Sequence, residues 1–441
     1  MRSRPSGPPS GRRSATGHDR AMTFLKRFWP RDRAERLTAC TALDIGTEFA
    51  KALVFEIDTD GVGTVRGVGR KRQGLAHMQS GTVADIAAVV DNCSVALQEA
   101  EEMAGFRPTQ VVLGIAGELV KGFTTTHTQE RMKPDLPMTD AEIQKLIDTV
   151  QVEALHEARR AITWETGLPN VDVRLVHAAV TTVAIDGYTM TNPIGFQGRH
   201  VTIGIFNAFA PLVHLGALQS VAAQLDLEIL DIVAEPYAVA RVMGTEQVRQ
   251  AGALFIDVGG GTTDVALVRL GGIEGTRMFA LGGRAFTKSI ADQLDLPFPR
   301  AEALKVDYAR GIAGERAHEV AAVVAGDVEI WAAGVELVME ELAAGDLLPG
   351  RIFLCGGGSQ LPEIQSALAA ERFHKRLPFA RPPEVVVISP SDIEAIVDGT
   401  ELLVDQQDVT PMALAYQAIE LQRVEDPLEI ALRRVLKAMK V

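Results

Sequence analysis

The chain is 441 residues long, 47% hydrophobic and 23% charged, with a formal net charge of -13 at pH 7. Such a length exceeds one ordinary core and predicts two or more lobes, while the acidic balance excludes a body built to wrap nucleic acid. Cys40, Cys93 and Cys355 stand far apart without ligating neighbours, which fits a reducing cytoplasm without disulfides. No apolar run reaches the length of a spanning helix, so the chain is expected to rest on a membrane at most.

Residues 1–21 are basic and rich in Ser, Pro and Gly, and read as disordered or as lying upstream of a true start at Met22. The following "MTFLKRFWPRDR" carries Phe24, Leu25, Phe28 and Trp29, a possible interfacial contact that Pro30 cuts short. From Leu43 a strand, a glycine-bearing connection and a helix over "VADIAAVVDNCSVALQEAEEMAGF" are expected, then the strand "QVVLGIAG". Thr139 with Glu142 three residues on predicts a capping box for the helix "TDAEIQKLIDTVQVEALHEARRAI". Short β segments come next, then a helix near 211–224, the strand "EILDIVAE" and a helix from Pro236. A helix-rich part over 284–345 and a helix over 410–422 complete the pattern.

Two phrases align on their acids. "TALDIGTEFAKALVFEI" (41–57) and "ALFIDVGGGTTDVALVR" (253–269) each run apolar, reach Asp44 or Asp257, turn through glycine and threonine, and become apolar again. Each reads as a hairpin, and the repetition predicts two similar lobes. A turn of Gly46 and Thr47, or of Gly259, Gly260, Gly261, Thr262 and Thr263, lets backbone N–H groups approach a phosphate closely. A carboxylate beside it would repel the phosphate unless a divalent cation intervened, so Asp44 and Asp257 are expected to hold Mg²⁺ through water. An ordinary acidic glycine turn explains one phrase as well. Two matched phrases, with a third strand-to-glycine turn "LCGGGSQLP" (Gly356, Gly357, Gly358, Ser359) before a helix, favour the phosphate reading.

Hairpin, connecting helix led by "AEPYAVA", second hairpin and late glycine turn occur in the order seen in the actin-like ATPases, which the chain resembles from residue 40 to 422. The segments "TDAEIQKLIDTV", "DGYTMTNPIGFQG" and "LGGRAFTKSIADQL…AEALK" resemble the bacterial cell-division FtsA family in particular, although 150–180 is more polar and longer than expected. The resemblance implies an α/β actin-like ATPase fold, with two ribonuclease H-like lobes around a nucleotide cleft and an inserted α+β subdomain. It implies ATP and Mg²⁺ as cofactors, with Glu235 orienting the attacking water and Lys51 on phosphate. Glu302 and Lys305 would hold the adenosine over Gly356–Gly358. By residue type alone, Lys51 also reads as a solvent-facing strand lysine, and Glu302 with Lys305 as a surface ion pair.

The expected organisation is a tail over 1–38, a first lobe over 39–248 with the insertion at about 108–203, and a second lobe over 409's upstream neighbours, 249–408, with a helical part at 284–345. A helix over 409–423 returns to the first lobe, and 424–441 forms a basic amphipathic tail. In "PLEIALRRVLKAMKV", Leu428, Leu432, Val435, Leu436 and Met439 form one apolar stripe against Arg433, Arg434, Lys437 and Lys440. Such a helix suits an anionic lipid surface, or it docks on the protein's own body. The resemblance implies a cytoplasmic protein on the inner membrane face that self-associates, hydrolyses ATP slowly if at all, and tethers the tubulin-like FtsZ. The alternatives are a type IV pilus scaffold of the same superfamily, a small-molecule kinase with this fold, and a relative that keeps the hairpins only as architecture.

Overall fold

The chain is described by a computed structural model over residues 38–423 apart from 170, 270 and 271, together with Leu428, Ile430, Ala431 and Leu432. The expectations for residues 1–37, and for Val435, Leu436, Met439, Arg433, Arg434, Lys437 and Lys440, lie outside the described residues.

In the first lobe, β1 (Ala39–Ile45), β2 (Phe49–Ile57) and β3 (Gly63–Arg72) form an antiparallel meander. A two-residue ribbon, β4 (Met78–Gln79) and β5 (Thr82–Val83), leads to α1 (Ile86–Ala104). β6 (Gln110–Ile115) returns parallel to β1. Gly67 and Gly69 explain how closely α1 lies on β3: a Cβ on either would stand 1.9 or 1.8 Å from the carbonyl oxygen of Ala100 or Ala96. Only a side chain that ends at the backbone fits there.

Between β6 and the rest of this sheet lies an insertion. It comprises β7 (Lys121–Glu130), α2 (Asp140–Thr166), β8 (Val173–Ile185), β9 (Tyr188–Thr189) and β10 (His200–Pro211). Thr139 and Glu142 form the expected capping box. The insertion is narrower than 108–203 at its start, because β6 pairs with first-lobe strands; it extends later, because β10 runs to Pro211. Its polar stretch from 150 onward is largely the outer face of the 27-residue α2.

The chain returns through α3 (Leu212–Gln224), β11 (Glu228–Ala234), α4 (Glu235–Val242) and α5 (Glu246–Ala251). The second lobe repeats the scheme with β12 (Ala253–Val258), β13 (Thr263–Arg269) and β14 (Gly272–Phe279) as an antiparallel meander. Next come α6 (Gly283–Gln293), α7 (Phe298–Ala309) and α8 (Ala317–Ala343), then β15 (Arg351–Cys355) parallel to β12. α9 (Pro362–Ala369), α10 (Glu371–Arg376), β16 (Glu384–Val387), β17 (Ile396–Asp398) and α11 (Val409–Arg423) follow.

The strand orders are β11-β6-β1-β2-β3-β17 and β16-β15-β12-β13-β14-β7-β10-β8-β9. Each contains a three-strand meander whose first strand is flanked by two parallel ones, the ribonuclease H-like order, present twice. The insertion's strands extend the second-lobe sheet through the pairs Gly275–Phe123 and Thr276–Gly122. Each lobe has its own apolar core, and Trp331 of α8 is fully buried in the second. Among the described residues, no helix is long and apolar enough to cross a membrane.

Candidate functional site

The two hairpins aim their turns at one another. A Cβ on Gly260 would stand 2.9 Å from Glu48 Cβ, and one on Gly261 would stand 2.7 Å from the Thr47 side chain. Glycine is what permits the contact. A cavity of about 430 Å³ opens beside this junction.

Lining it are Asp44, Gly46, Thr47 and Lys51 from the first hairpin, and Asp257, Gly259, Gly260, Thr262 and Asp264 from the second. Glu235 comes from the start of α4, Glu302 and Lys305 from α7, and Gly356, Gly357 and Gly358 from the third turn. Residues more than three hundred positions apart thus share one wall.

Three expected contacts lie elsewhere. Thr263 is fully buried; its hydroxyl donates to the Leu281 carbonyl at 2.7 Å and accepts from Trp331 Nε1 at 2.9 Å. Strand alternation turns it into the core, since its neighbours Thr262 and Asp264 face the cavity. Ser359 is also buried and closes its own turn by donating to the Gly356 carbonyl at 2.7 Å. Gly261 packs on Thr47.

Lys51 is not solvent-facing. Its ammonium donates to Asp44 Oδ2 at 3.0 Å and to the Gln407 carbonyl at 2.7 Å, with 12% of the side chain exposed. Burial opposes its charge, but Asp44, Asp408 and Asp257 together push its pKa up. The acids around it are crowded. Burial raises Asp257, and raises Asp264 and Glu235 well above the usual carboxylate range; the neighbouring acids add to each shift. Asp264 Oδ1 is buried and has no hydrogen-bond partner. Buried, unpaired acid oxygens of this kind call for a cation or a proton.

Glu302 and Lys305 are likewise no surface pair. Lys305 is 8% exposed and donates to Glu302 Oε2 at 2.8 Å, Thr287 Oγ1 at 2.8 Å and the Gly283 carbonyl at 2.9 Å. Lys305 and the Thr287 hydroxyl hold the Glu302 carboxyl below its ordinary pKa despite burial. The pair forms a fixed polar part of the cavity wall, beside Gly283 and the second glycine turn.

Sequence reasoning missed four contributors. Asp264 was legible as a lone acid inside an otherwise apolar strand, "TDVALVR". Glu48 receives Arg284 Nε at 2.8 Å and pairs with Arg72, joining the first hairpin to α6 at the cavity mouth. Thr410, at the start of α11, donates to Asp257 Oδ2 at 2.6 Å. Arg70 pairs with the fully buried Asp408 and so anchors the turn before α11.

The C-terminal stripe differs from its lipid-facing expectation where it is described. Leu428 is 1% exposed and Leu432 is fully buried, both within the core of the insertion formed by α2, β8 and β10. An apolar stripe minimises exposure on whichever apolar surface it reaches, and here it reaches the protein's own.

Residues 254–399 match the family model "Cell division protein FtsA". The cell division protein FtsA of Pseudomonas aeruginosa is 28% identical over 354 residues, covering 75% of this chain and 80% of that one. The FtsA of Streptococcus pneumoniae is 26% identical over 370 residues, covering 80% of this chain and 77% of its own. Among solved structures, the PilM-PilN type IV pilus biogenesis complex superposes with a TM-score of 0.61 at 18% identity, over 87% of this chain and 99% of its own. At that identity the match concerns the fold alone. Residues 254–399 therefore match the FtsA family model within an actin-like ATPase fold, and the chain is similar to FtsA proteins over three quarters of its length.

Proposed function

We propose that the chain is a cell-division protein that binds ATP with Mg²⁺ in the inter-lobe cavity, self-associates on the inner face of the membrane and tethers the tubulin-like FtsZ. The observation that carries the nucleotide part is the pair of glycine turns meeting beside the buried carboxylates of Asp44, Asp257 and Asp264, with the half-buried Glu235 and Lys51. With the Gly46 and Gly259 N–H groups closing their own turns on the Phe49 and Thr262 carbonyls, the backbone N–H groups of Thr47, Gly260 and Thr262 suit phosphate oxygens. Gly356–Gly358 and the Glu302–Lys305 pair suit the nucleoside.

The donor set fits a cation that arrives with phosphate. Among the described residues, no group of three His, Cys, Asp or Glu side chains is placed to hold a metal by itself. Asp44, Asp257 and Asp264 would meet the waters of a nucleotide-bound Mg²⁺, which supplies neutralisation of the triphosphate charge. Glu235, whose carboxyl is pushed well above the usual carboxylate range by burial and by Asp44, Asp264 and Asp257, packs against Gly114. Once a cation offsets those charges it can accept a hydrogen bond from an attacking water.

The cell-division role follows from the FtsA relatives, at 24–28% identity; the pilus complex, at 18%, supports only the shared fold. Membrane association through residues 424–441 requires the helix around Leu428 and Leu432 to leave the insertion. Polymerisation would then add the weak lipid contacts of successive subunits.

The test is titration with a fluorescent ATP analogue in Mg²⁺, with Asp257→Ala as control. The same protein is then pelleted with anionic vesicles, with and without ATP and the C-terminal peptide of the tubulin-like partner. Saturable Mg²⁺-dependent binding that Asp257→Ala removes supports the reading. Absence of nucleotide binding overturns it.

A further inference from the structure

α11 packs on the first lobe, against β1, β2 and α4. Its first turn nevertheless reaches across the cavity to a carboxylate of the second lobe: Thr410 Oγ1 donates to Asp257 Oδ2 at 2.6 Å, and Thr410 is 4% exposed. The turn before it is fixed to the first lobe by Arg70 on Asp408 and by Lys51 on the Gln407 carbonyl. The second lobe answers with Gly356 N–H on the Gln406 carbonyl at 3.2 Å.

Asp257 is thereby held at one oxygen and packed close to backbone at the other. Oδ2 takes the Thr410 hydroxyl, while Oδ1 lies where a Cβ on Gly356 would come within 2.0 Å. Gly356 also holds φ at 84°, a conformation side chains disfavour, so the wall behind Oδ1 is bare backbone by requirement. Neither constraint comes from the hairpin that bears Asp257.

We propose that Thr410 is a positioning residue: from the opposite lobe, its hydroxyl orients the Asp257 carboxylate toward a nucleotide-bound divalent cation. This rests on the nucleotide reading above. Holding a carboxylate in one rotamer before the cation arrives removes an ordering cost from binding. Because the donor sits on the first lobe, the carboxylate is aligned only while the lobes keep this separation. Cation affinity and lobe closure then depend on the same hydrogen bond.

The experiment compares the full chain with Thr410→Val and Thr410→Ser. Each is titrated with a fluorescent ATP analogue in Mg²⁺ and again in EDTA, after thermal unfolding confirms a folded state. Thr410→Val is expected to lose about tenfold of the Mg²⁺-dependent gain in affinity, the worth of a hydrogen bond to a charged group, with affinity in EDTA within about twofold of the parent. Thr410→Ser should keep the gain. If Thr410→Val does not fold, Thr410→Ala replaces it. A full Mg²⁺ gain in the hydroxyl-free variant, or an equal loss in Thr410→Ser, overturns the positioning role. A parent chain that binds nucleotide equally with and without Mg²⁺ overturns it too but leaves nucleotide binding standing; a parent that binds no nucleotide overturns both.

Discussion

Asp44 and Lys51 face each other across the first hairpin, in register, with the ammonium 3.0 Å from Oδ2. Lys51 is the cation nearest a group of buried acids, so it offsets their repulsion before any ligand binds. Lys51→Ala is expected to lower the unfolding free energy of the ligand-free chain by about 3 kcal/mol, the scale for stripping one partner from a buried pair. Urea denaturation measures it, and an unchanged midpoint contradicts this placement.

Glu235 is expected to separate binding from turnover. Its carboxyl lines the cavity beside Gly114 and is pushed well above the usual range by burial and by Asp44, Asp264 and Asp257. Glu235→Gln preserves shape and hydrogen bonding to a water but cannot take its proton. ATP affinity should stay within about twofold while hydrolysis falls by about a hundredfold, the lower range for general-base loss. Equal losses in both would assign Glu235 to binding.

His214 of α3 predicts acid sensitivity away from the cleft. Burial lowers its pKa from 6.5 to about 4. In the unfolded chain it protonates near 6.5, so that state holds more protons between the two values. The native state's advantage is complete above pH 6.5 and is lost as pH falls toward 4, by about 3 kcal/mol in all. Melting curves at stepped pH should show this slope, and His214→Leu should remove it.

The tail gives two measurements of opposite character. Leu432→Ala should cost about 2–4 kcal/mol without lipid if the helix sits on the insertion as described, by the usual loss for a buried leucine. Deleting 427–441 should abolish co-sedimentation with anionic vesicles. An unaffected melting temperature in the first would place the helix off the body; undiminished pelleting in the second would place the anchor elsewhere.

Much of the site was legible because it is local. Acid, glycine turn and flanking apolar strands are adjacent in sequence, and their repetition marked both Asp44 and Asp257. Asp264 lay within the second phrase, but only strand alternation tells it from Thr263, and alternation is hard to read where both faces of a strand are buried. Thr410 and Gln407 carried no signal, since their partners stand 153 and 356 residues away. Leu428 and Leu432 show a different limit. Helical spacing fixes which residues share a stripe but says nothing about what the stripe meets.

The ladder from β14 to β7 carries a mechanical consequence. Sequence order assigns the insertion to the first lobe, yet Gly275–Phe123 and Thr276–Gly122 stitch its strands to the second. Hydrogen-bonded strands do not slide past one another without breaking pairs. A swing of one lobe against the other must therefore bend the short links on either side of the insertion, around Gly117–Val120 and Pro211, or part that two-rung seam. While the seam holds, the insertion travels like a pointer fixed to the second lobe, and its far tip sweeps a larger arc than the cleft itself.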